Sequence, residues 1–375
     1  MYKVVHIAIP ITGVGVYVNL LVGNIDSKSF KSILISNNND KNIPIKDKSN
    51  KEIDKFYVNL RREINIINDF KCLIQIISAL KKIKPNLIHC HSAKAGILGR
   101  IAGLYLNIPT LYTPHAFSYL STNNKIKRYL YKSIEKCFKF TSSKLLCCSA
   151  SESDRAINDL KIKSLKVLQW NNSIPDIVIS AKNPVIKKFP EKYLCTIGRP
   201  SYQKNFEMMI DVIKIVKKEI SKIHLVLLGV GHHAPETAHI KKLIKLKKLE
   251  NNITLIPWVN RNQSLNILKE SMFYISTALY EGLPFSVIEA LALAKPCVVS
   301  NVDGNKDLII EKHNGFLIDN FDKLEMAKKI IDLYQNKELL LRLSNNSRKE
   351  FLKKHHIKNA INQLESIYLN ELKKY

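Results

Sequence analysis

The chain has 375 residues, which is too long for one ordinary domain and comfortable for two. Hydrophobic residues make up 46% and charged residues 24%, a globular composition, and no run of about eighteen apolar residues predicts a transmembrane helix. The seven cysteines contain no C-x-x-C pair, so we expect buried free thiols in a reducing cytoplasm and neither disulfides nor a zinc site.

The N-terminal segment predicts a strand, a glycine loop and a helix. The strand is VVHIAIP, and Gly13 and Gly15 lie between it and the helix within PITGVGVYVNLL. The segment has neither a basic n-region nor a clear cleavage site, so we expect no signal peptide. Small residues let a backbone come close to the phosphates of a donor substrate or to an acceptor substrate. A dehydrogenase fingerprint would place its third glycine where Val18 stands, so a nicotinamide site is a weak alternative.

Further strands of the first half are predicted at SILIS, LIHCHS, TLYTPHA and LLCCSAS, with a helix at DFKCLIQIISALKKIK. His91 and Ser92 end the strand LIHCHS. His89 and His91 share one face of that strand and could begin a metal site, but no third ligand is apparent. Contact of these residues with an acceptor substrate or a phosphate is therefore favoured over a metal site. His115 follows the strand TLYT, where a purely structural histidine is the alternative to a functional one.

The positive charge of the chain is concentrated in its first half. The formal net charge is +27, and no Asp or Glu occurs between Asp69 and Glu135. The segment KIKRYLYKSIEKCFKF from Lys125 predicts a basic amphipathic helix lying on the surface, and such a face binds anionic lipids with about 1 kcal/mol per basic residue. A solvated face is the alternative. A nucleic-acid partner is not expected, because no helix-turn-helix, zinc or RNA-binding signature is present.

The second half repeats the alternation of strands and helices. Its strands are predicted at YLCTIG, HLVLLGVG, ITLIPW, FYIST and PCVVS, and one helix at NFEMMIDVIKIVKKEI. Two such halves predict an α/β fold with two doubly wound parallel sheets and ligands at the carboxyl ends of the strands, in a cleft between the halves. The predicted boundaries are a first domain over 1–172, a linker over 173–190, a second domain over 191–355 and a C-terminal helix over 356–375 that crosses back to the first domain.

Two glycine segments follow strands of the second half. GRPSYQKN begins at Gly198, directly after YLCTI, and brings Arg199 and Lys204 to that strand end. GVGHHA begins at Gly229 and fits G-x-G-x-x-A, which keeps a dinucleotide site open as an alternative. No acidic residue follows at the distance that a dinucleotide site expects.

The most informative segment of the chain is STALYEGLPFSVIEALALAKPCVVS. Glu281 falls in a loop, Pro284 suits a first helical turn, and Glu289 lies inside the short helix that follows. The free backbone N–H groups near Phe285 and Ser286 suit a phosphate. Two carboxylates flanking such a site suit the hydroxyls of a sugar or a ribose, so the segment predicts a site for a nucleotide sugar.

In this order the motifs resemble the retaining glycosyltransferases of the GT-B fold, family four or group 1, of the bacterial surface-polysaccharide type. The resemblance implies that Arg199 and Lys204, near Gly198 and Gly229, hold the donor diphosphate. It also implies that Glu281 binds the donor sugar and Glu289 the ribose. His115 would lie beside the reacting centre. Phe117 would pack under the sugar or acceptor, and the Gly13–Gly15 loop would complete the site when the cleft closes. Three positions depart from the family pattern: Ala116, Ser173 and Asp303.

The resemblance implies transfer of a sugar from a nucleotide diphosphate sugar, a UDP-linked hexose or N-acetylhexosamine, to a lipid-linked (polyprenyl diphosphate) saccharide. The product would enter O-antigen, capsule or exopolysaccharide biosynthesis. Neither a cofactor nor a metal is implied, and the enzyme would be cytoplasmic and peripherally bound to the inner face of the cell membrane. A sugar-nucleotide epimerase of the same fold and a non-catalytic, membrane-associated binding protein are the alternatives.

Overall fold

A computed structural model describes residues 1–40, 43–61, 63–179, 189–231, 234 and 236–373. The chain divides into two compact units. Unit 1 comprises Met1–Asn172 and Ile357–Tyr375, and unit 2 comprises Ser173–His356. Half of the segment predicted as a linker over 173–190, residues 180–188, lies outside the described residues. Because unit 1 includes residues from 357 onward, the C-terminal segment belongs to the unit that contains the N-terminus.

Unit 1 is built on a seven-stranded parallel sheet in the order β3-β2-β1-β4-β5-β6-β7. The central strands are buried runs rich in Val, Ile and Leu, which is typical of strands covered on both faces. The strand order reverses between β1 and β4, where His6 is the register partner of His89. The strands are β1 (Tyr2–Ile7), β2 (Phe30–Asn37), β3 (Asp54–Val58), β4 (Leu87–His91), β5 (Thr110–Thr113), β6 (Lys144–Cys147) and β7 (Val167–Gln169).

The helices of unit 1 form two layers. Right-handed crossovers place α2, α3, α4 and α5 on one face of the sheet and α1 on the other. Helix α13 contacts α1 and β4 on that second face, and the Trp170 Nε1–H donates to the Ala360 carbonyl at 2.8 Å. The helices are α1 (Gly13–Asn24), α2 (Ile66–Ile83), α3 (Ala93–Leu106), α4 (Lys125–Cys137), α5 (Ala150–Asn158) and α13 (Ile357–Leu372).

Unit 2 has a six-stranded parallel sheet in the order β10-β9-β8-β11-β12-β13, which reverses between β8 and β11. Its strands are β8 (Leu194–Ile197), β9 (Leu225–Leu228), β10 (Ile253–Ile256), β11 (Tyr274–Ser276), β12 (Cys297–Ser300) and β13 (Gly315–Ile318). Its helices are α6 (Phe206–Glu219), α7 (Thr237–Leu246), α8 (Arg261–Glu270), α9 (Phe285–Ala292), α10 (Asn305–Leu308), α11 (Lys323–Gln335) and α12 (Lys337–Glu350). Each unit has its own hydrophobic core.

The prediction of two doubly wound parallel sheets is confirmed, and the strands named from the sequence are all present. The sheets also contain β3, β7 and β13, which the sequence analysis did not assign as strands. All seven cysteines are free, and Cys137 is the exposed one. Among the described helices, none combines the length and the apolar character that a membrane crossing requires.

Candidate active site

In unit 2, two glycine loops meet beside the point where the strand order reverses. Gly198 directly follows β8 and Gly229 directly follows β9. Gly229 has a φ of +102°, and a Cβ there would lie 2.9 Å from the Gly198 carbonyl oxygen. Only glycine combines that backbone conformation with so close an approach. The carboxyl edge of the sheet therefore presents closely packed backbone at the position where open α/β sheets bind ligands.

Lys204 and Glu281 form a buried ion pair at this edge. The Lys204 Nζ donates to Glu281 Oε1 at 2.6 Å, and the Gln203 Nε2 donates to Oε2 at 3.1 Å, so both carboxylate oxygens have partners. Burial lowers the pKa of Lys204, but the adjacent Glu281 carboxylate outweighs it and the pKa is raised. Lys204 is therefore a fixed cation. Gly198 leaves room for its side chain, because a Cβ at Gly198 would lie 3.0 Å from Lys204 Cε.

Arg199 adds a second positive charge to the same edge. It is half-buried, and its charge lowers the pKa of Lys204 in opposition to Glu281. Among the ion pairs of the described residues, none involves Arg199. The two cations predicted for a donor diphosphate are thus close enough to interact, and one of them is not neutralised by a described carboxylate.

Glu289 lies on α9, which begins at Phe285, one residue later than the sequence pattern suggested, with Pro284 as the N-cap. Its carboxylate accepts from Arg261 Nη1 at 2.7 Å. Burial raises the pKa of Glu289, and the Arg261 guanidinium acts in the opposite direction. The N–H groups of Phe285 and Ser286 are in the first helical turn and lack helical acceptors by geometry.

In unit 1, the residues that follow three neighbouring strands have unusual backbone conformations. Thr12 after β1, Ser92 after β4, and His115 and Ala116 after β5 all have positive φ angles, between 55° and 74°. Such conformations cost free energy in residues other than glycine and cluster at functional sites. The strands β1, β4 and β5 are adjacent in the sheet, so this edge is the candidate binding edge of unit 1.

The two N-terminal glycines form the first turn of α1, which corrects their assignment to a loop before the helix. They differ in their surroundings. A Cβ on Gly15 would lie 2.4 Å from the Pro10 carbonyl oxygen, whereas a Cβ on Gly13 would meet no atom within 4 Å. Gly15 is therefore required by packing, and Gly13 faces open space.

A cluster of buried histidines lies below the edge of unit 1. The His6 Nδ1 and His91 Nε2 are 3.2 Å apart, and His89 is held by the hydroxyls of Tyr368 at 2.7 Å and Thr113 at 2.8 Å. Burial lowers the pKa values of His6, to about 3, and of His89 and His91, to well below the usual range. The cluster is therefore neutral. Because His91 is fully buried, its ring does not face a substrate, and Ser92 is the partly exposed member of that pair of predictions.

The three imidazoles of this cluster have the spacing of a metal site. Ligand atoms of His6, His89 and His91 lie within 4.8 Å of one another, so β1 supplies the third histidine that the sequence pattern lacked. Both nitrogens of His89 are, however, already paired with hydroxyls, and the group contains no carboxylate or thiolate. A metal ion bound at His89 would have to displace one of these hydroxyls. We assign the cluster as a neutral hydrogen-bonded network.

His115 is half-buried at the candidate edge, next to Tyr17, with ring centroids 4.5 Å apart. Burial lowers its pKa to about 3, so the ring is neutral. The turn that carries it is held by Glu152, whose carboxylate accepts from the backbone N–H groups of Ala116 and Cys148, both at 2.8 Å.

The position of Phe117 contradicts its predicted role under the sugar or acceptor. It stacks on Tyr119 within the core of unit 1 and is 1% exposed, so it packs the fold and does not present a face to a sugar. Four further residues near the two edges were not predicted from the sequence: Gln203, Arg261, Glu152 and His6. Their functional neighbours come from other strands or helices, so no local spacing identifies them.

Two parallel Rossmann-like units, with cations and carboxylates at the carboxyl edge of the second, define the chain as a glycosyltransferase of the GT-B type. Residues 180–350 match the family model described as Glycosyl transferases group 1, and residues 11–176 match Glycosyltransferase Family 4. The chain belongs to this family.

Relatives and solved structures agree with this assignment. The chain is 29% identical to UDP-Gal:alpha-D-GlcNAc-diphosphoundecaprenol alpha-1,3-galactosyltransferase of Escherichia coli, over 87% of this chain and 86% of that protein. It is 26% identical to the capsular polysaccharide biosynthesis glycosyltransferase CapM of Staphylococcus aureus, over 84% of each. In fold it is similar to a sucrose-phosphate synthase from Thermosynechococcus elongatus, with a TM-score of 0.84, 16% identity and full coverage of both chains.

Proposed function

We propose that the chain is a retaining glycosyltransferase that moves a sugar from a UDP-linked hexose or N-acetylhexosamine to a lipid-linked saccharide in surface-polysaccharide biosynthesis. The observation that carries the donor assignment is the buried Lys204–Glu281 pair beside Gly198 and Gly229. A fixed cation and a fixed carboxylate at one strand edge suit the two halves of a nucleotide sugar, because the diphosphate needs positive charge and the sugar hydroxyls need acceptors.

The proposed donor contacts follow from the charges of this edge. Arg199 and Lys204 stabilise the negative charge that the diphosphate gains as the glycosidic bond breaks. The first-turn N–H groups of Phe285 and Ser286 add neutral donors at a helix N-terminus. Glu281 accepts from donor-sugar hydroxyls, and Glu289 accepts from the ribose. The choice of a uridine nucleotide is supported by the name of the Escherichia coli relative, which uses UDP-Gal.

In unit 1, His115 is proposed to stabilise the transition state as a neutral hydrogen-bonding group. Its imidazole suits this role because burial keeps it uncharged and the Glu152 carboxylate fixes the turn that carries it. Gly13 and Ser92 are proposed to contact the acceptor. Retention is proposed from the family resemblance, with the leaving phosphate accepting the proton of the acceptor hydroxyl.

A lipid-linked acceptor is supported by the surface chemistry of unit 1. The exposed side of α4 combines Ile126 and Tyr129 with Lys125, Lys127 and Arg128. The only carboxylate of the helix, Glu135, is buried against Arg100 at 2.8 Å and does not reduce the positive charge of the surface. We propose that this helix binds the anionic inner face of the cell membrane, where a polyprenyl diphosphate saccharide would be found.

The decisive experiment incubates the purified protein with a panel of nucleotide sugars and a bacterial lipid extract and measures the release of nucleoside diphosphate. Release from one donor that requires the lipid, and that is absent in Glu281→Ala, would support transfer. The anomeric configuration of the product, measured by NMR, tests retention, and an inverted product would overturn it.

The same experiment separates the alternatives. An epimerase would convert the nucleotide sugar without lipid, and the change would appear in the sugar before any transfer. A binding protein would release no nucleoside diphosphate from any donor while still sedimenting with vesicles. Neither outcome is compatible with the proposed function.

A further inference from the structure

The start of α2 exposes a cluster of large apolar side chains. Five of them, from the segment before the helix and its first turns, are between 53% and 84% exposed: Ile64, Ile66, Ile67, Phe70 and Ile74. Isolated exposed apolar residues are ordinary, but a contiguous group of this size marks a surface that contacts something other than water.

Helix geometry shows that the exposure is organised. At about 100° per residue, Ile66, Ile67, Phe70 and Ile74 lie within one arc of the helix. The residues that α2 buries in the core lie on a separate arc: Cys72, Ile76, Ala79, Leu80 and Ile83. The helix thus has two apolar faces. One packs against the sheet, and the other, the α2 apolar face, has no partner among the described residues.

The α2 apolar face lies beside the candidate binding edge of unit 1. Lys94, two residues after Ser92, donates to Asp69 Oδ1 at 2.7 Å and also to the Glu63 carbonyl oxygen. These contacts tie the start and the middle of the exposed segment to the first turn of α3. The α2 apolar face is therefore next to the end of β4, where the acceptor is proposed to bind.

The charges around the α2 apolar face favour a lipid surface. Helices α2, α3 and α4 lie in one layer of unit 1. The acidic residues of these helices are Asp69, which is paired with Lys94, and Glu135, which is buried with Arg100. The unpaired charges of these three helices are consequently positive, which suits anionic head groups and disfavours a basic protein partner.

We infer that the α2 apolar face inserts into the acyl region of an anionic bilayer. This inference rests on the proposed function only for its choice of membrane, and it adds a hydrophobic attachment to the electrostatic attachment of α4. The two attachments differ in their response to salt, because screening weakens charge pairing and leaves hydrophobic burial in place.

The test is sedimentation with phosphatidylglycerol-containing vesicles at about 0.1 M and about 1 M NaCl. We expect the wild-type protein to keep part of its binding at high salt and the triple variant I66S/I67S/F70S to lose that part. The loss should be about tenfold or more in partition coefficient, as expected for removing apolar side chains from a bilayer. A matched control, L246S/L324S, changes two exposed leucines of unit 2 and should bind like the wild type.

A second measurement locates the insertion. In the variant Phe70→Trp, the fluorescence of the new tryptophan should be quenched by vesicles that carry bromine on their acyl chains. Salt-resistant binding that survives in I66S/I67S/F70S, or an unquenched tryptophan at position 70, would overturn the inference. So would a wild-type dimer that the triple variant converts to a monomer, because a second copy would then cover the surface. None of these measurements needs catalytic turnover, so a failure of glycosyl transfer would not be confused with a failure of insertion.

Discussion

The carboxyl edges of the two sheets differ in charge: one carries ion pairs and the other lies over neutral side chains. In unit 2 the edge is ionic: Lys204 pairs with Glu281 and Arg261 pairs with Glu289. In unit 1 the edge lies above neutral imidazoles, and its strand ends have strained backbone conformations. A nucleoside diphosphate gains negative charge as it leaves, whereas an acceptor hydroxyl is neutral. The difference between the edges is therefore what sugar transfer from such a donor would require.

The largest expected effect concerns the neutrality of unit 1. The folded pKa values of His6 and His115 are lowered to about 3, and those of His89 and His91 are also lowered. Below the unfolded pKa of about 6.5 the unfolded chain binds more protons than the folded chain. Stability should therefore fall as the pH decreases from about 6.5 toward about 3, by up to about 1.4 kcal/mol per pH unit for each histidine.

Denaturant unfolding followed by tryptophan fluorescence measures this loss. The chain has two tryptophans, and Trp170 is buried 5.5 Å from Tyr17 in unit 1, so Trp258→Phe leaves a single reporter of that unit. His6→Gln should reduce the slope with pH. A free energy of unfolding that stays constant between about pH 7 and about pH 5 would show that the imidazoles are not held neutral.

The next effect concerns the ionic edge. Lys204→Met should lower kcat about 10²–10³-fold, because it removes a charge that stabilises the leaving diphosphate. It should also destabilise the fold by about 3–5 kcal/mol, because Glu281 is left buried without its partner. The double variant Lys204→Met/Glu281→Gln separates the two effects. It should recover most of the stability and none of the activity, and recovered activity would remove Lys204 from the donor site.

A smaller effect is expected at the second ion pair. Arg261→Gln removes the guanidinium that opposes the raised pKa of Glu289, so the Glu289 carboxylate should become protonated at a higher pH. The acidic limb of the profile of donor kcat/KM against pH should move to higher pH, and the donor KM should rise about tenfold. Lys269→Gln, at the other end of α8, is the control. Equal profiles for the two variants would contradict a role of Glu289 in donor binding.

The smallest effect is expected at Gly13, and it distinguishes the two glycines of α1. Gly15→Ala should destabilise the protein by about 1–3 kcal/mol, because its Cβ would overlap the Pro10 carbonyl oxygen. Gly13→Ala should be neutral or stabilise by about 0.5 kcal/mol, because nothing lies within 4 Å and alanine favours the helix. Thermal melts measure both changes. If Gly13 contacts the acceptor, its alanine variant should raise the acceptor KM and leave the donor KM unchanged.

Sequence patterns predicted the central strands and one edge strand, β10, and missed the other three edge strands. The three strands not assigned from sequence, β3, β7 and β13, are all edge strands. β3 and β7 have fewer neighbours to bury them, so their sequences lack the continuous apolar run that identifies a central strand. β3 begins with exposed Asp54, and β7 is only three half-buried residues long.

The candidate site shows the same limit in another form. Glu281, Glu289, Arg199 and Lys204 could be named because each belongs to a local motif. Their partners could not, because Gln203 reaches Glu281 and Arg261 reaches Glu289 only after strands distant in sequence become neighbours. His6 is the clearest case. It is the register partner of His89 because the strand order reverses at β1, and the sequence contains no spacing that records this.

Helix α4 has one fully buried residue, and that residue is charged. Glu135 accepts from Arg100 and from the Tyr112 hydroxyl, while the Arg100 guanidinium lies 4.0 Å and 3.7 Å from the rings of Tyr112 and Phe138. Most exposed residues of α4 can therefore change without disturbing the fold, and under the proposed membrane contact related chains could adapt this surface to different lipid compositions. Arg100 and Glu135, by contrast, should be replaced together or not at all, because either one alone would leave an uncompensated buried charge.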